Sequence, residues 1–403
     1  MASTVTLEKR ARGSSIALPS IDSEDQISGR IPTYVYASVF ASLCVVVGVI
    51  WDISWHKSIG RDGLLSPPHL SIYLGAVVAG LFSGFKVLKV TIAGTKKERA
   101  ETVKFWGVFH GSLGALFCIW GAIAMLTSAP FDDWWHNTYG LDVKILSPPH
   151  TVLALGIMMI QFGALVSTLS QQNNAPAEGK RPIYNWLFIA ASGLLVTSIF
   201  TISSEYLSRH DMHHSIFYQV SGLVFPVIMV AVAKASKLRW AATATAAVYT
   251  FIVAALVWIL PLFPAEPLLG PIRNHITHYQ AFEFPILLIV PAVLIDIVLQ
   301  RHEKKNSWVL ASLLGATFIL SLVAVQWPFG DFMMSTGARN WFFGTESWYY
   351  GSSPDWEYRY AFGPWHSHSG WTLVKGLAIA LVIATLSSRL GLSWGRWMSQ
   401  VRR

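Results

Sequence analysis

The sequence predicts an all-α, polytopic transmembrane bundle of about ten helices, and three observations carry that prediction. Hydrophobic residues make up 53% of the 403 and charged residues only 13%, against about 25% charged in a soluble domain. Apolar runs of roughly 20 residues, the length that crosses a bilayer core, recur along most of the chain. The connections between them alternate between a basic kind and an acidic, histidine-rich kind.

Residues 1–33 carry Ser, Pro, Gly and mixed charge and read as a disordered tail. No small-residue cleavage site follows a short apolar core, so the first run is expected to stay as a helix rather than leave as a signal peptide. That helix is expected over 34–54. The next, 68–91, opens at Pro67-Pro68, where proline suits the first helical turn. Helices over 104–127 and 149–170 follow, the second opening on Pro148-Pro149 in the same way. The runs 184–204, 215–235 and 240–262 are set apart by a histidine-rich connection and by Lys234 to Arg239. The last three, 279–300, 307–326 and 371–391, are divided by Arg301 to Lys305 and by the long aromatic stretch 327–370.

The net charge of +8 would raise nucleic acid as a partner in a soluble protein. Here Lys and Arg sit mostly in short loops, so topology accounts for them and no nucleic-acid partner is expected. Lys9, Arg10, Arg12, Lys86 to Lys104, Lys180-Arg181, Lys234 to Arg239, Arg301 to Lys305, Arg396, Arg402 and Arg403 all fall on one side. The positive-inside rule makes that side, with both termini, cytoplasmic in a cell (inner) membrane. Cys44 and Cys118 lie inside apolar runs and give neither a disulfide framework nor a zinc pattern.

The opposite connections hold Asp52, His56 and His69; Asp132, Asp133, His136 and His150; Glu205, His210, His213 and His214; Glu266, His275 and His278; and His366 and His368. Of thirteen histidines, only His110, expected inside the third helix, and His302 lie elsewhere. Spare histidines would not sort by side in this way.

Two of these connections are copies. Residues 51–69 read WDISWHKSIGRDGLLSPPH and residues 131–150 read FDDWWHNTYGLDVKILSPPH. Each has an acid, a Trp-His pair, a Gly, an Asp two residues later, and Ser-Pro-Pro-His opening the next helix. His214 and His278 are expected to open helices in two fainter copies. The organisation is therefore a tail (1–33), two clear helix pairs (34–170), two weaker pairs (171–300), and the last two helices with the aromatic loop (301–403).

Asp52 and His56 are four residues apart, so they share a face if the first helix runs on past Trp55. His69 follows the proline pair that starts the second helix. Two imidazoles and a carboxylate bind divalent transition metals and leave positions open. Asp132, His136 and His150 repeat the set. Asp133 is an alternative first ligand that keeps the 17-residue offset from Asp52 to His69. Weaker candidates are His210, His213, His214, His275 and His278. A single copy would read equally well as interfacial anchors and caps; two copies on one side favour metal, since ionisable groups near membrane depth are costly.

The spacings D-x3-H-x12-H and D-x3-H-x13-H, each closed by a proline turn, resemble the C subunit of the copper membrane monooxygenases, the particulate methane and ammonia monooxygenase family. Asp52, His56 and His69 match its first motif, with Trp55 before the middle histidine. His136 and His150 match its second, where Asp132 stands in place of the family's Asn. The likeness covers about 170 residues, and 282–299 with 326–331 are faintly similar to the family's A subunit. This chain lacks the acidic pair before the last histidine of the second motif, has more helices, and carries no soluble copper-binding β-domain. The resemblance implies copper at one or both sites, O2 activation beside the membrane and a small or apolar substrate. It also implies partner subunits of a membrane complex, or further copies of the chain, beside membrane lipid. The donor set suits zinc or iron as well.

The aromatic loop 327–370 is expected either as a water-excluding lid over the site or as an interfacial belt. A copper-storage or delivery role would want Met or Cys ligands for Cu(I), and only Met212, Met333 and Met334 lie in the outer loops. A haem or quinone protein would need histidines at membrane depth, where only His110 is expected. A non-catalytic scaffold leaves the sorting of the histidines unexplained.

Overall fold

A computed structural model describes residues 31–140, 147–175 and 182–402. Residues 1–30 of the expected tail, Lys180, Arg181, Arg403, Asp142 and the Val143 to Leu146 stretch lie outside the described residues, and the last residue of that tail, Thr33, already belongs to the first helix. Among the described residues ten helices of 14 residues or more follow one another: α1 (Thr33–Ser58), α2 (Pro67–Ala93), α3 (Leu113–Tyr139), α4 (Pro148–Asn174), α5 (Pro182–Ile202), α6 (Ser215–Ala235), α7 (Ala241–Ile259), α8 (Ile289–His302), α9 (Ser307–Met334) and α10 (Gly370–Met398), with one five-residue helix, Lys96–Ala100, after α2. Among the described residues, nine are long and apolar enough to cross a membrane. The exception, α8, has 14 residues. The chain is thus an all-α bundle of multi-pass membrane type, and the ten expected helices map one to one onto these ten.

Two expected boundaries are corrected. The helix expected over 104–127 starts only at Leu113, and the residues before it form a hairpin of β1 (Val103–Phe105) and β2 (Phe109–Gly111). The loop between the paired Phe105 and Phe109 has three residues, and its first two, Trp106 and Gly107, take left-handed φ of 48° and 69°. Ser112 then caps α3 by accepting from the Ala115 N–H. His110 therefore sits in a strand opposite Lys104, not inside a span.

The helix expected over 279–300 starts only at Ile289. A helix from 279 would place Pro285 and Pro291 in its interior, where each removes a hydrogen bond and clashes with the preceding turn. Starting at Ile289 puts Pro291 in the first turn. Residues 280–288 are irregular and largely buried, a state tolerated at bundle depth only if the backbone is satisfied. Distant side chains do this. Ser58 Oγ accepts from Gln280 N–H, Ser347 Oγ from Ala281 N–H, Tyr249 from Ile286 N–H and Gln326 Oε1 from Leu287 N–H, at 2.7–3.0 Å.

α1 packs along α2 and α3 along α4, and the two pairs meet through α2 and α3. In the second pair a Cβ on Gly121 would fall 2.7 Å from the Gly156 carbonyl, and one on Gly156 2.9 Å from that of Gly121. Only glycine permits this approach, which brings the ends of α3 and α4 together. α6 lies along α10 rather than along α5.

The histidine-rich connections meet at one end of the bundle. Leu268 N–H donates to Ile59 O and Tyr350 N–H to Lys57 O. Lys57 pairs with Glu283 at 3.4 Å, Arg209 donates to Thr345 O at 2.9 Å, and His366 pairs with Asp211 at 2.7 Å. At the other end, Asn173 donates to Met398 O and Val401 O, and Lys234 pairs with Glu303.

Candidate metal centre

Helix α1 does run past Trp55, so Asp52 and His56 stand one turn apart on its last turns. It ends at Ser58 and turns through Gly60, whose φ is 96°. Helix α3 continues through Pro130 to Tyr139, well past the expected 127, and turns at Gly140, φ 87°. The glycine shared by the two sequence copies is thus the residue that lets each first helix stop and reverse. Pro67-Pro68 and Pro148-Pro149 occupy the first turns of α2 and α4, so His69 and His150 emerge where those helices begin.

In the second copy Asp132 Oδ1 lies 3.4 Å from His136 Nε2 and 3.4 Å from His150 Nε2. The three donor atoms lie within 4.8 Å of one another. Ligands at tetrahedral angles on metal bonds of about 2.0–2.1 Å stand roughly 3.3–3.4 Å apart, the length of both edges from Asp132 to the two histidines. Asp133 points aside and accepts from Asn137 at 3.3 Å.

The first copy differs from expectation. The tight trio is Asp52, Asp62 and His69. His69 Nε2 is 2.9 Å from Asp62 and 3.4 Å from Asp52, whereas His56 Nε2 stands 3.6 Å from Asp62 and 3.8 Å from Asp52 with its side chain half exposed. His56 is thus a fourth, outer donor. The sequence did carry a signal for Asp62: it is the Asp of the Gly-x-Asp repeated in both copies. Burial opposes ionisation of Asp62, but the hydrogen bonds and charge of His56 and His69 outweigh it and hold its carboxyl far below the usual carboxylate range.

The chemistry of the donors also fits a cation. His69 Nδ1 is 3.0 Å from Gly63 O and His136 Nδ1 3.1 Å from Gly140 O. A carbonyl only accepts, so each Nδ1 carries the proton. Each Nε2 then turns a lone pair toward carboxylate oxygens, an arrangement that demands a shared positive charge, either a proton or a metal. Asp52 Oδ1 is buried and accepts no hydrogen bond, facing His69 Nε2 alone among these donors. Such a carbonyl-oriented imidazole is the usual support of a metal ligand.

Both copies open on one cavity of about 260 Å³, to which Asp62 and His69 contribute from one side and Asp132, Asp133 and His136 from the other. Tyr73, from α2, lies in its wall with its ring 6.0 Å from that of His69. Leu269 closes part of it, and among the described residues none of the 327–370 loop lines it. The expected aromatic lid is therefore not formed by that loop, which packs instead on the segments around His210 and Gln280.

The weaker candidates are not gathered into a comparable trio among the described residues. His213 is sandwiched between Trp327 and Phe362 at 4.1 and 4.0 Å. His214 caps α6 by accepting from Ile216 N–H. His210 lies against Arg359 O at 3.2 Å. His275 and His278 are exposed in extended chain, so His278 does not open a helix. No family model, no curated protein and no solved structure matches this chain.

Proposed function

We propose that this is an integral membrane metal protein that binds two divalent ions, copper foremost, on the non-cytoplasmic face of the cell membrane and uses O2 to oxidise a small substrate between them. The observation that carries the reading is the placement of Asp132 Oδ1 at 3.4 Å from both His136 and His150, together with the second trio on the same cavity. Three-ligand sites leave coordination positions open, as catalysis requires and storage does not. Imidazole suits copper, which heads the divalent affinity order. At about 260 Å³ the cavity lies below the roughly 300–1,000 Å³ of pockets for drug-sized ligands, which favours a small substrate.

A copper-handling role is the alternative. Against it, Met212 Sδ is engaged by Gln326 at 3.2 Å, Met333 and Met334 are buried, and no sulfur lines the cavity. The test is elemental analysis of detergent-purified protein with electron paramagnetic resonance on the same sample. Two copper equivalents per chain with nitrogen hyperfine structure, and O2 consumption with a reductant, support the enzyme. Copper without any O2 consumption supports handling, and no retained metal overturns both.

A further inference from the structure

At the basic end of the bundle the hairpin Val103–Gly111 has features that a water-exposed loop avoids. Trp106 is 68% exposed and Val108 60%, and Ile92, near the C-terminal end of α2, is 77% exposed. Trp106 also carries a φ of 48°, a costly conformation for a bulky residue and one that points to a functional constraint. Its ring is held at depth, meeting Trp120 edge-on at 5.4 Å.

That contact gives a position along the membrane normal. Trp120 is the eighth residue of α3, about 10 Å from the helix start. Trp106 therefore lies beside the first turns of α3, the level along the bundle at which an interfacial anchor sits.

Two of the hairpin's backbone N–H groups outside the ladder find partners within the protein. Val108 N–H closes the turn on Phe105 O at 3.1 Å, and His110 N–H donates to Thr91 Oγ1 at 2.8 Å. Arg99 ties the loop down by donating to Val90 O and Ile92 O, both at 3.3 Å. Around it, residues 86–104 hold six basic residues and two acidic ones. One of those acids, Glu98, is committed to a capping box with Thr95. Lys89, Lys96 and Lys104 are exposed.

We infer that this hairpin and its lysines form a binding site for anionic phospholipid, with Trp106 and Val108 in the acyl boundary and Lys89, Lys96 and Lys104 on the headgroup phosphates. The inference is independent of the metal reading. The test uses the full chain in vesicles of phosphatidylglycerol and phosphatidylcholine. A nitroxide on a Trp106→Cys variant, the native cysteines being buried, is expected to relax with O2 and to resist a water-soluble nickel chelate; the reverse pattern overturns the proposal. Native mass spectrometry is expected to show retained phosphatidylglycerol, with retention falling roughly fivefold for each of the three lysines changed to Gln while metal content stays constant. Retention unchanged in the triple variant overturns it. Competition by inorganic phosphate in detergent as strong as that by the lipid would reassign the site to free anion and overturn the lipid claim too.

Discussion

His150 Nε2 faces Asp132 Oδ1 at 3.4 Å across the break between α3 and α4, so the two helices share a ligand set that neither holds alone. On the two-ion proposal, changing His150 to Ala is expected to remove one metal equivalent and leave the other, because Asp52, Asp62 and His69 come from α1, α2 and the turn between them. Metal analysis after dialysis against a weak chelator reads this directly. Loss of both equivalents would show a single composite site.

Asp62 is expected to matter more than His56 at the first site. Asp62→Asn should weaken metal binding there by at least ~10-fold, and His56→Ala by less, since the nearer oxygen and the tight trio are lost only in the former. Competitive titration with a chelator separates the two. Equal losses would restore the Asp52, His56, His69 set.

Gly121→Val forces a side chain against the Gly156 carbonyl. Overpacking of this kind costs about 1–3 kcal/mol and spreads the ends of α3 and α4. The expected result is a lower midpoint in detergent unfolding and weaker metal binding at the second site alone. An unchanged second site would mean that the helix ends are held by the loop rather than by the close approach.

Tyr249→Phe removes the acceptor for the Ile286 N–H without changing shape. A buried donor left unpaired costs about 1–3 kcal/mol, so stability should fall by that amount with metal content unaltered. A neutral effect would show that the irregular segment finds another partner.

Burial, then the charge of Arg209, pushes His210 below the usual histidine range. A depressed folded pKa means that the unfolded chain binds more protons. The stabilisation is therefore complete above the ordinary value of about 6.5 and is lost as pH falls through the folded pKa. His210 by itself lowers the unfolding midpoint between about pH 7 and pH 5, against the opposite effect of His56 and His69 beside their carboxylates, so His210→Asn should raise the midpoint at pH 5 relative to that at pH 7. An identical difference between the two pH values in the variant would assign the loss to other groups.

The bundle was legible because hydropathy reports burial in an apolar medium, and all ten helices are visible in it. The same signal misread residues 103–111 and 280–288, which are apolar but not helical. Hydropathy carries no information about where a backbone N–H finds its acceptor, and in 280–288 the acceptors are Ser58, Tyr249, Gln326 and Ser347, far away in sequence. The Asp-x3-His spacing located the second site because i, i+4 residues on a helix are neighbours whatever else happens. It failed to rank Asp62 because that residue sits on a turn, where position depends on Gly60 taking a left-handed conformation. Nothing local in either copy shows that both open on one cavity, which follows from α2 packing on α3.

The wall of that cavity belongs to two copies of one motif, so the chain does alone what a symmetric pair of chains carrying one copy each would do together. A symmetric pair must keep its two sites identical. A duplicated chain is free of that constraint, and among the described residues the copies differ at the middle histidine: His136 stands 3.4 Å from Asp132, whereas His56 stands 3.8 Å from Asp52 and is half exposed. Two ions bound in such a place would face the same small molecule with unequal affinities and unequal reactivity, a division of labour that a true dimer is barred from by its own symmetry.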